Sequence, residues 1–378
     1  MRSTALAALA LMLILAGCGG GREEPSAPSG LGVDTAGWST DFSRHTVPLE
    51  DFASGGPGKD GIPAIDRPRF VAVAAGERFL EPREPVAVVE IEGTSRAYPI
   101  RILVWHEIVN DRLAGRSIAV TYCPLCNSTV VFDRRRGDRV LDFGTTGNLR
   151  NSDLVMYDRQ TESWWQQLTG EAVVGELSGE RLRALPSQIL SWAQFMRLYP
   201  DGSVLSTETG HDRPYGQNPY VAYEQPGSAP FALSDAADDR LPPKERVAAV
   251  QTGPRSAVVY PFSRLRREAP LADEIDGRPV VVFFDPSVAS ALDEAAVAGG
   301  RSIGAAAVFE RRVAGRTLSF APGPRAGSFR DSQTGSTWGM DGRASAGPLR
   351  GETLPRLLSD DQFWFALAAF FPQASIRR

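Results

Sequence analysis

Two cysteines separated by two residues carry the strongest chemical signal in the sequence. Cys123 and Cys126 enclose Pro124-Leu125, the shortest spacing that lets two thiols reach each other or share one metal ion. The chain has 3 cysteines in all, and the remaining one lies near its start. The pair therefore predicts one of three roles: a redox-active dithiol, part of a metal site, or an inert disulfide across a turn.

The residues around the pair predict a turn between two strands. Residues 117–122 and 129–133 are short runs rich in β-branched and apolar side chains, which is typical of strands. In thioredoxin-like proteins such a pair opens a helix, whose N-terminal dipole lowers a thiol pKa, so the pattern argues against that fold. A strand-turn-strand arrangement is instead similar to one knuckle of a rubredoxin or zinc ribbon. Those proteins have a second knuckle, which this sequence lacks.

Histidine would have to supply further ligands or a catalytic base, and the sequence has 3. His106 precedes the thiols by one predicted turn and one predicted strand, so we expect its ring to meet them as a metal ligand or as a base. Glu107 and Asp111 flank His106 and either orient its ring or are solvated acids of a turn. His211 would complete a tetrahedral Cys2His2 site, unless that position stays open for a substrate.

The elements that must position these residues are predicted to be short strands. Alternating side chains predict a hairpin over 86–92 and 95–100 around Gly93. Helical spacing is confined to residues 188–198 and 361–371, each of which ends before a proline. We therefore predict an α+β, mainly β fold with few short helices.

The chain also contains an internal repeat. Residues 82–103 recur as 243–265, residues 113–126 as 274–288, and residues 157–165 as 329–338. Shared positions are apolar residues, glycine, proline and tryptophan, whereas His106 aligns with Glu268, Cys123 with Asp285 and Cys126 with Val288. We predict two related lobes from an internal duplication: a first repeat over 46–225 that carries the Cys-x-x-Cys site, and a second, degenerate repeat over 226–378.

One polar and aromatic segment could line a cleft. Residues 158–166 combine Asp158 with Trp164 and Trp165. Polar side-chain groups would then lie on a cleft wall formed by aromatic rings. Because Asp331 and Trp338 repeat the pattern in the second copy, our preferred interpretation is that the segment belongs to the structural framework.

The first residues predict an export signal and a lipid anchor. Residues 1–17 read as a signal peptide, whose apolar run is too short to be a stable membrane span. The run Leu15-Ala16-Gly17-Cys18 is similar to the lipobox of bacterial lipoproteins, in which Cys18 is lipidated, and residues 18–45 form the lipid-anchored linker. We expect a cell-envelope protein held to the membrane by lipid on Cys18, on its periplasmic or extracellular side. A net charge of -4 without a basic cluster argues against a nucleic-acid partner.

Several short and unusual segments of the sequence resemble those of one protein family. They are GGPGKDGIPAID (55–66), AYPIRIL, WHEIVND, VTYCPLCNSTVVFD, YDRQTESWWQQLTGEAVVG and RPYGQNPY. The chain thereby resembles, from about Gly55 to Tyr223, the bacterial domain-of-unknown-function family numbered 3179. The resemblance implies no settled activity. It does imply reactive or metal-binding sulfur, because some members carry selenocysteine in the motif that corresponds to Cys123-Pro124-Leu125-Cys126.

Three functions remain open at this point. The first is a thiol oxidoreductase, in which Cys123 or Cys126 attacks a disulfide or peroxide, the other resolves the intermediate, and His106 acts as base, so that the partner is an unidentified thiol or disulfide. The second is a binding protein for copper, zinc or iron, with Cys123, Cys126, His106 and His211 as ligands. The third is an envelope adaptor without chemistry, whose tryptophan-lined cleft holds a peptide or glycan.

Overall fold

The computed structural model describes residues 32–225, 228–233 and 237–378. Strands account for 41% of it and helices for 11%, which confirms the mainly β prediction. The predicted signal peptide and Cys18 lie outside the described residues, as does part of the predicted linker. No helix in the described ranges is long and apolar enough to cross a membrane.

The first half of the chain consists of short strands with three short helices among its described residues. In chain order they are β1 (Phe52–Ser54), β2 (Phe70–Ala72), α1 (Val73–Gly76), β3 (Pro85–Ile91), β4 (Thr94–Pro99), α2 (Ile100–His106), β5 (Ile108–Leu113), β6 (Arg116–Cys123), β7 (Ser128–Asp133), β8 (Arg135–Arg136), β9 (Arg139–Val140), β10 (Phe143–Arg150), β11 (Asp153–Asp158), β12 (Trp164–Gln166), β13 (Ala172–Val174), β14 (Arg183–Leu185), β15 (Ser187–Ser191), α3 (Trp192–Leu198) and β16 (Ser203–Leu205).

The second half of the chain also consists mainly of short strands. Its elements are β17 (Arg246–Gly253), β18 (Ser256–Pro261), α4 (Phe262–Glu268), β19 (Leu271–Ile275), β20 (Arg278–Asp285), β21 (Ala305–Glu310), β22 (Arg312–Val313), β23 (Arg316–Thr317), β24 (Phe320–Pro322), β25 (Ser328–Asp331), β26 (Thr337–Gly339), β27 (Ala344–Ala346), β28 (Asp360–Phe363), α5 (Trp364–Phe370) and β29 (Ser375–Ile376).

The two cysteines belong to a four-stranded sheet with the order β14-β7-β6-β5. Strands β6 and β7 pair in an antiparallel manner from Ile118 opposite Asp133 to Cys123 opposite Ser128. Most residues of both strands are buried, because the sheet is covered on both faces, and this explains their continuous apolar runs. The predicted strand-turn-strand setting of the motif is confirmed.

A second sheet, of order β15-β3-β4-β16-β2, contains the predicted hairpin. Its turn is formed by Glu92 and Gly93, with φ of 50° and 77°. Positive φ at both central residues gives the twist that matches two antiparallel strands. The hairpin over 86–92 and 95–100 is therefore confirmed to within a residue at each end.

The order of elements in the second half parallels that of the first. The hairpin β17-β18 leads into α4 as β3-β4 leads into α2, and each helix follows a proline, Pro261 or Pro99. Strand β28 pairs with β17 as β15 pairs with β3, and β29 runs parallel to β18 as β16 runs parallel to β4. These parallels agree with the predicted repeat, whose origin in a duplication stays a prediction.

Two predicted helices begin later than their sequence patterns indicate. The spacing of apolar residues predicts helices over 188–198 and 361–371, whereas α3 begins at Trp192 and α5 at Trp364. The residues before each helix form β15 and β28, because they pair with β3 and β17. A helix starting at residue 188 is also excluded by Ser191, whose side chain accepts a hydrogen bond from the N–H of Gln194 and caps α3 at that point.

The two halves share one hydrophobic core around the cysteines. Phe363, Phe365 and Ala366 of the second half belong to the same buried cluster as Cys123 and Cys126. The motif is therefore enclosed by residues more than two hundred positions away in the chain, rather than by its own repeat alone.

Asp158 organises the turn before the tryptophan pair. Its carboxylate accepts hydrogen bonds from the N–H of Thr161 at 2.7 Å and from Nε1 of Trp165 at 2.9 Å. Trp164 and Trp165 are both fully buried, so they line no cleft. The aromatic wall on which the adaptor hypothesis depends is therefore part of the core, as the scaffold interpretation predicted.

The second half repeats this network. Asp331 accepts hydrogen bonds from the N–H of Thr334 at 2.6 Å and from Nε1 of Trp338 at 3.0 Å. Both networks satisfy an indole N–H that is buried away from water and would otherwise be unpaired.

We expect Asp158→Ala and Asp331→Ala each to lower the free energy of unfolding by about 3 kcal/mol, because each leaves buried N–H donors without an acceptor. Urea denaturation followed by tryptophan fluorescence measures the change. Asp138→Ala is the matched control, since Asp138 is exposed and its loss should change stability by less than about 0.5 kcal/mol. An equal loss in all three variants would contradict the structural role.

Candidate functional site

The cysteine motif forms a tight knuckle between β6 and β7. Cys123 is the last residue of β6, and the N–H of Asn127 donates to the carbonyl of Pro124 at 3.2 Å. Asn127 itself has a φ of 50°, a conformation that asparagine tolerates better than most residues. The turn brings the two side chains to the same side, where both are free thiols.

The knuckle is closed from the second half of the chain. The N–H of Phe363, at the end of β28, donates to the carbonyl of Cys126 at 2.9 Å. Cys123 is 1% exposed and Cys126 is 0% exposed. The sulfur atoms of both lie close to the carbonyl oxygen of Ser152, at 3.8 Å and 3.4 Å.

Asp153 is the third member of the site, and the sequence analysis did not identify it. One oxygen of its carboxylate and the two sulfur atoms lie within 4.8 Å of one another. Oδ2 accepts hydrogen bonds from Nε2 of Gln166 at 2.6 Å and from the N–H of Leu168 at 2.9 Å. Oδ1 is buried and has no hydrogen-bond partner among the described residues. The carboxylate is thus held in place by one oxygen while the other stays available.

The segment that positions Asp153 belongs to the first half alone. Asp153 begins β11, directly after Asn151 and Ser152, which turn the chain with φ of 50° and 68°. The counterpart strands β24 and β25 in the second half are shorter and lack this end of the hairpin. An acidic residue in a segment that only the site-bearing copy contains is the sequence signal that could have pointed to Asp153.

Burial raises the pKa of both thiols. For Cys123 burial is the main cause, and the nearby carboxylates of Asp153 and Glu107 raise the pKa further. For Cys126 burial is again the main cause, followed by the neighbouring Cys123, and its pKa lies well above the ordinary range. The neutral thiol is therefore the favoured form of each cysteine in this structure.

The two carboxyl groups near the thiols are shifted in the same direction. Burial raises the pKa of Asp153 to about 6, against the hydrogen bonds that lower it. Burial and the charge of Asp153 raise the pKa of Glu107 to about 8. The site is therefore a buried region in which each added negative charge costs free energy.

Glu107 follows α2 directly and has a left-handed backbone conformation. Its φ is 58°, its N–H donates to the carbonyl of Leu103 at 2.7 Å, and its own carbonyl accepts from the N–H of Tyr122 at 2.8 Å. The side chain is 6% exposed and lines a cavity of about 490 Å³, together with Leu125 of the cysteine motif. No donor among the described residues contacts its carboxyl group.

His106 does not meet the thiols, contrary to the sequence prediction. Its Nδ1 lies 2.7 Å from the carbonyl oxygen of Pro63 and its Nε2 lies 2.6 Å from the hydroxyl of Tyr215. Since a carbonyl only accepts, Nδ1 carries the proton and Nε2 accepts from Tyr215. Burial lowers the pKa of His106 to about 4. The side chains of His106 and Glu107 therefore have different surroundings, and of the two it is the Glu107 carboxyl group that raises the pKa of Cys123.

The two remaining predicted residues also lie apart from the thiols. His211 is exposed, and its ring centre is 5.2 Å from that of His106, so it completes no Cys2His2 site. Asp111 forms an ion pair with Arg96 at 2.6 Å and accepts from the hydroxyl of Tyr98 at 2.6 Å. It therefore joins β5 to the neighbouring β4 and orients no imidazole.

Comparison with known proteins extends the resemblance seen in the sequence. The profile of the family described as "Protein of unknown function (DUF3179)" matches residues 59–374. The match continues well beyond Tyr223 and includes most of the second half of the chain. The short sequence segments indicated the family only for the first half. No curated protein and no solved structure matches the chain. Because the match covers most of the chain, the protein belongs to the family described as "Protein of unknown function (DUF3179)".

Proposed function

We propose that the protein binds a zinc ion through Cys123, Cys126 and Asp153. The observation that carries the proposal is the grouping of two thiols and a carboxylate oxygen within 4.8 Å of one another, all of them buried. Zinc binds sulfur at about 2.3 Å and carboxylate oxygen at about 2.0–2.2 Å in a tetrahedral arrangement. Ligand atoms at this separation need only a small inward movement to reach those distances.

Charge supports the same assignment. Two thiols of raised pKa and two carboxyl groups of raised pKa lie together in the core, and a divalent cation would compensate the charge that burial disfavours. The unpartnered Oδ1 of Asp153 is the kind of buried acceptor that a cation satisfies. Binding would deprotonate both cysteines and release protons.

The ligand types favour zinc over copper and iron. Copper(I) prefers soft sulfur ligands without a carboxylate, and common iron–sulfur clusters use four cysteines. Two thiolates with one carboxylate form a borderline set that suits zinc. Three protein ligands leave the fourth tetrahedral position open, as in catalytic rather than structural zinc sites.

Thiol exchange is less well supported than metal binding. A nucleophilic cysteine needs a lowered pKa and some exposure, whereas Cys123 and Cys126 are buried and their pKa values are raised. His106, which was predicted to act as the base, forms its hydrogen bonds with Pro63 and Tyr215 instead. The surroundings of the two sulfur atoms therefore favour a bound cation over a free thiolate.

The envelope location is part of the same proposal. The lipobox-like run that ends at Cys18 supports export and lipidation. Mass spectrometry of protein from a bacterial membrane fraction tests it, since a diacylglyceryl group on Cys18 changes the mass of the N-terminal peptide.

We expect protein purified without chelator, or loaded with one equivalent of zinc, to hold about one ion per chain. Cys123→Ser, Cys126→Ser and Asp153→Asn should each weaken zinc binding by about 100-fold or more, since even loss of an outer partner costs about 10–100-fold. Elemental analysis and competition with a chromophoric chelator measure this. With cobalt(II) in place of zinc, a thiolate-to-metal charge-transfer band reports the two cysteines directly.

His106→Gln and His211→Ala are the matched controls for these ligand variants. Both replace a residue of a type that binds zinc, and neither touches the three proposed ligands. Both should keep the ion and the cobalt spectrum. Loss of the ion in His106→Gln to the same degree as in Cys123→Ser would overturn the proposed ligand set.

The stability of the metal-free protein should fall as the pH rises from about 4.5 to about 8. Glu107 has a pKa of about 8 in the folded chain against 4.5 ordinarily, so the unfolded chain loses its proton first and is favoured over this window. Urea midpoints of chelator-treated protein across the window measure the fall. Glu107→Gln removes this contribution and should show a shallower fall, whereas an identical pH dependence would show that Glu107 ionises normally.

A further inference from the structure

A mainly apolar cavity lies directly beside the cysteine knuckle. Its volume is about 490 Å³, within the range of about 300–1,000 Å³ that is usual for small-molecule sites. Leu125 of the motif and Leu154, which follows Asp153, form part of its wall, together with Leu149 and Ile62. The cavity therefore adjoins the site, and its walls are mainly apolar.

The rim of this cavity exposes hydrophobic side chains to solvent. Val221 is 52% exposed and Phe231 is 48% exposed, and both line the cavity. Among the described residues, only Leu358 is a further large hydrophobic side chain that is exposed to this degree. Leu358 lies at a different cavity, of about 430 Å³, which also contains Arg181 and Asp360. Exposed apolar groups gathered at the mouth of an apolar cavity are typical of a binding site.

Two buried polar residues, Glu107 and Asn148, line this otherwise mainly apolar space. Glu107 is 6% exposed, lines the cavity, and has no hydrogen-bond donor among the described residues. Pockets that bind small molecules combine apolar walls with a small number of placed polar groups that fix the orientation of the ligand. A carboxyl group can donate to a hydroxyl oxygen when protonated or accept from a hydroxyl when ionised.

We propose that this cavity binds an uncharged, largely apolar small molecule that carries one hydroxyl group, with the hydroxyl bonded to Glu107 and the apolar part between Leu125, Leu154 and Phe231. The inference goes beyond the proposed function and does not depend on it, because it is argued from the walls and the mouth of the cavity alone. An anionic ligand is disfavoured by the neighbouring Asp153 carboxylate, which would repel it.

The neutral dye N-phenyl-1-naphthylamine, whose fluorescence rises in apolar surroundings, tests the cavity in chelator-treated full-length protein. We expect saturable binding of about one dye per chain, weakened about tenfold or more by Val221→Asp and by Phe231→Asp, because a charge is placed at an apolar mouth. Leu358→Asp is the matched control: it makes the same change at an equally exposed side chain of the other cavity. Circular dichroism confirms that each variant is folded, which is expected for changes at exposed positions.

Displacement of the dye tests the polar contact. In the wild-type chain 4-butylphenol should displace the dye at about fivefold lower concentration than butylbenzene, the typical effect of one hydrogen bond. In Glu107→Leu the two compounds should be equally effective. The proposal is overturned if the wild-type chain shows no saturable binding, if Leu358→Asp weakens binding as much as Phe231→Asp, or if the preference for the phenol survives in Glu107→Leu.

Discussion

The arrangement of the site depends on the burial of the cysteine knuckle. Strands β6 and β7 carry the two thiols into a core that is apolar on both faces of the sheet, and Asp153 and Glu107 bring carboxyl groups into the same space. Every one of these groups shifts towards its protonated form, because burial disfavours negative charge. A protein that keeps four such groups together either gives up stability there or gains a bound partner that restores it.

The two halves of the chain contribute unequally to the site. The first half supplies the two cysteines, the hairpin that carries Asp153, and Glu107. The second half repeats the framework, including the Asp331 network, but its strand β20 ends in Asp285 where β6 ends in Cys123. It contributes instead through β28, whose last residue bonds the carbonyl of Cys126. The second half thus forms a wall of the site.

Local patterns predicted the parts of the structure that depend on local interactions. The β3-β4 hairpin and the strands on either side of the cysteines follow from side-chain alternation and length, and they were predicted almost to the residue. The helices over 188–198 and 361–371 were predicted too long, because a short buried strand before a helix carries apolar residues at spacings that a helix would also show. Only the pairing of β15 with β3, and of β28 with β17, distinguishes such a strand from the first turn of a helix.

The composition of the site depends on longer-range features. His106 was expected at the thiols from its distance along the chain, but its ring bonds Pro63 and Tyr215 instead, and both partners are far from it in the sequence. Asp153 was missed because it reaches the knuckle through a hairpin thirty residues farther along, whose register includes an irregularity between Thr145 and Leu149.

The closing bond from Phe363 to Cys126 has a consequence for the order of folding. Because residue 363 is more than two hundred positions beyond the knuckle, the carbonyl of Cys126 gains this partner only when β28 docks, after the local β6-β7 turn can already have formed. Under the proposed zinc assignment, an ion held at the knuckle would then exchange with the surroundings only as fast as β28 detaches.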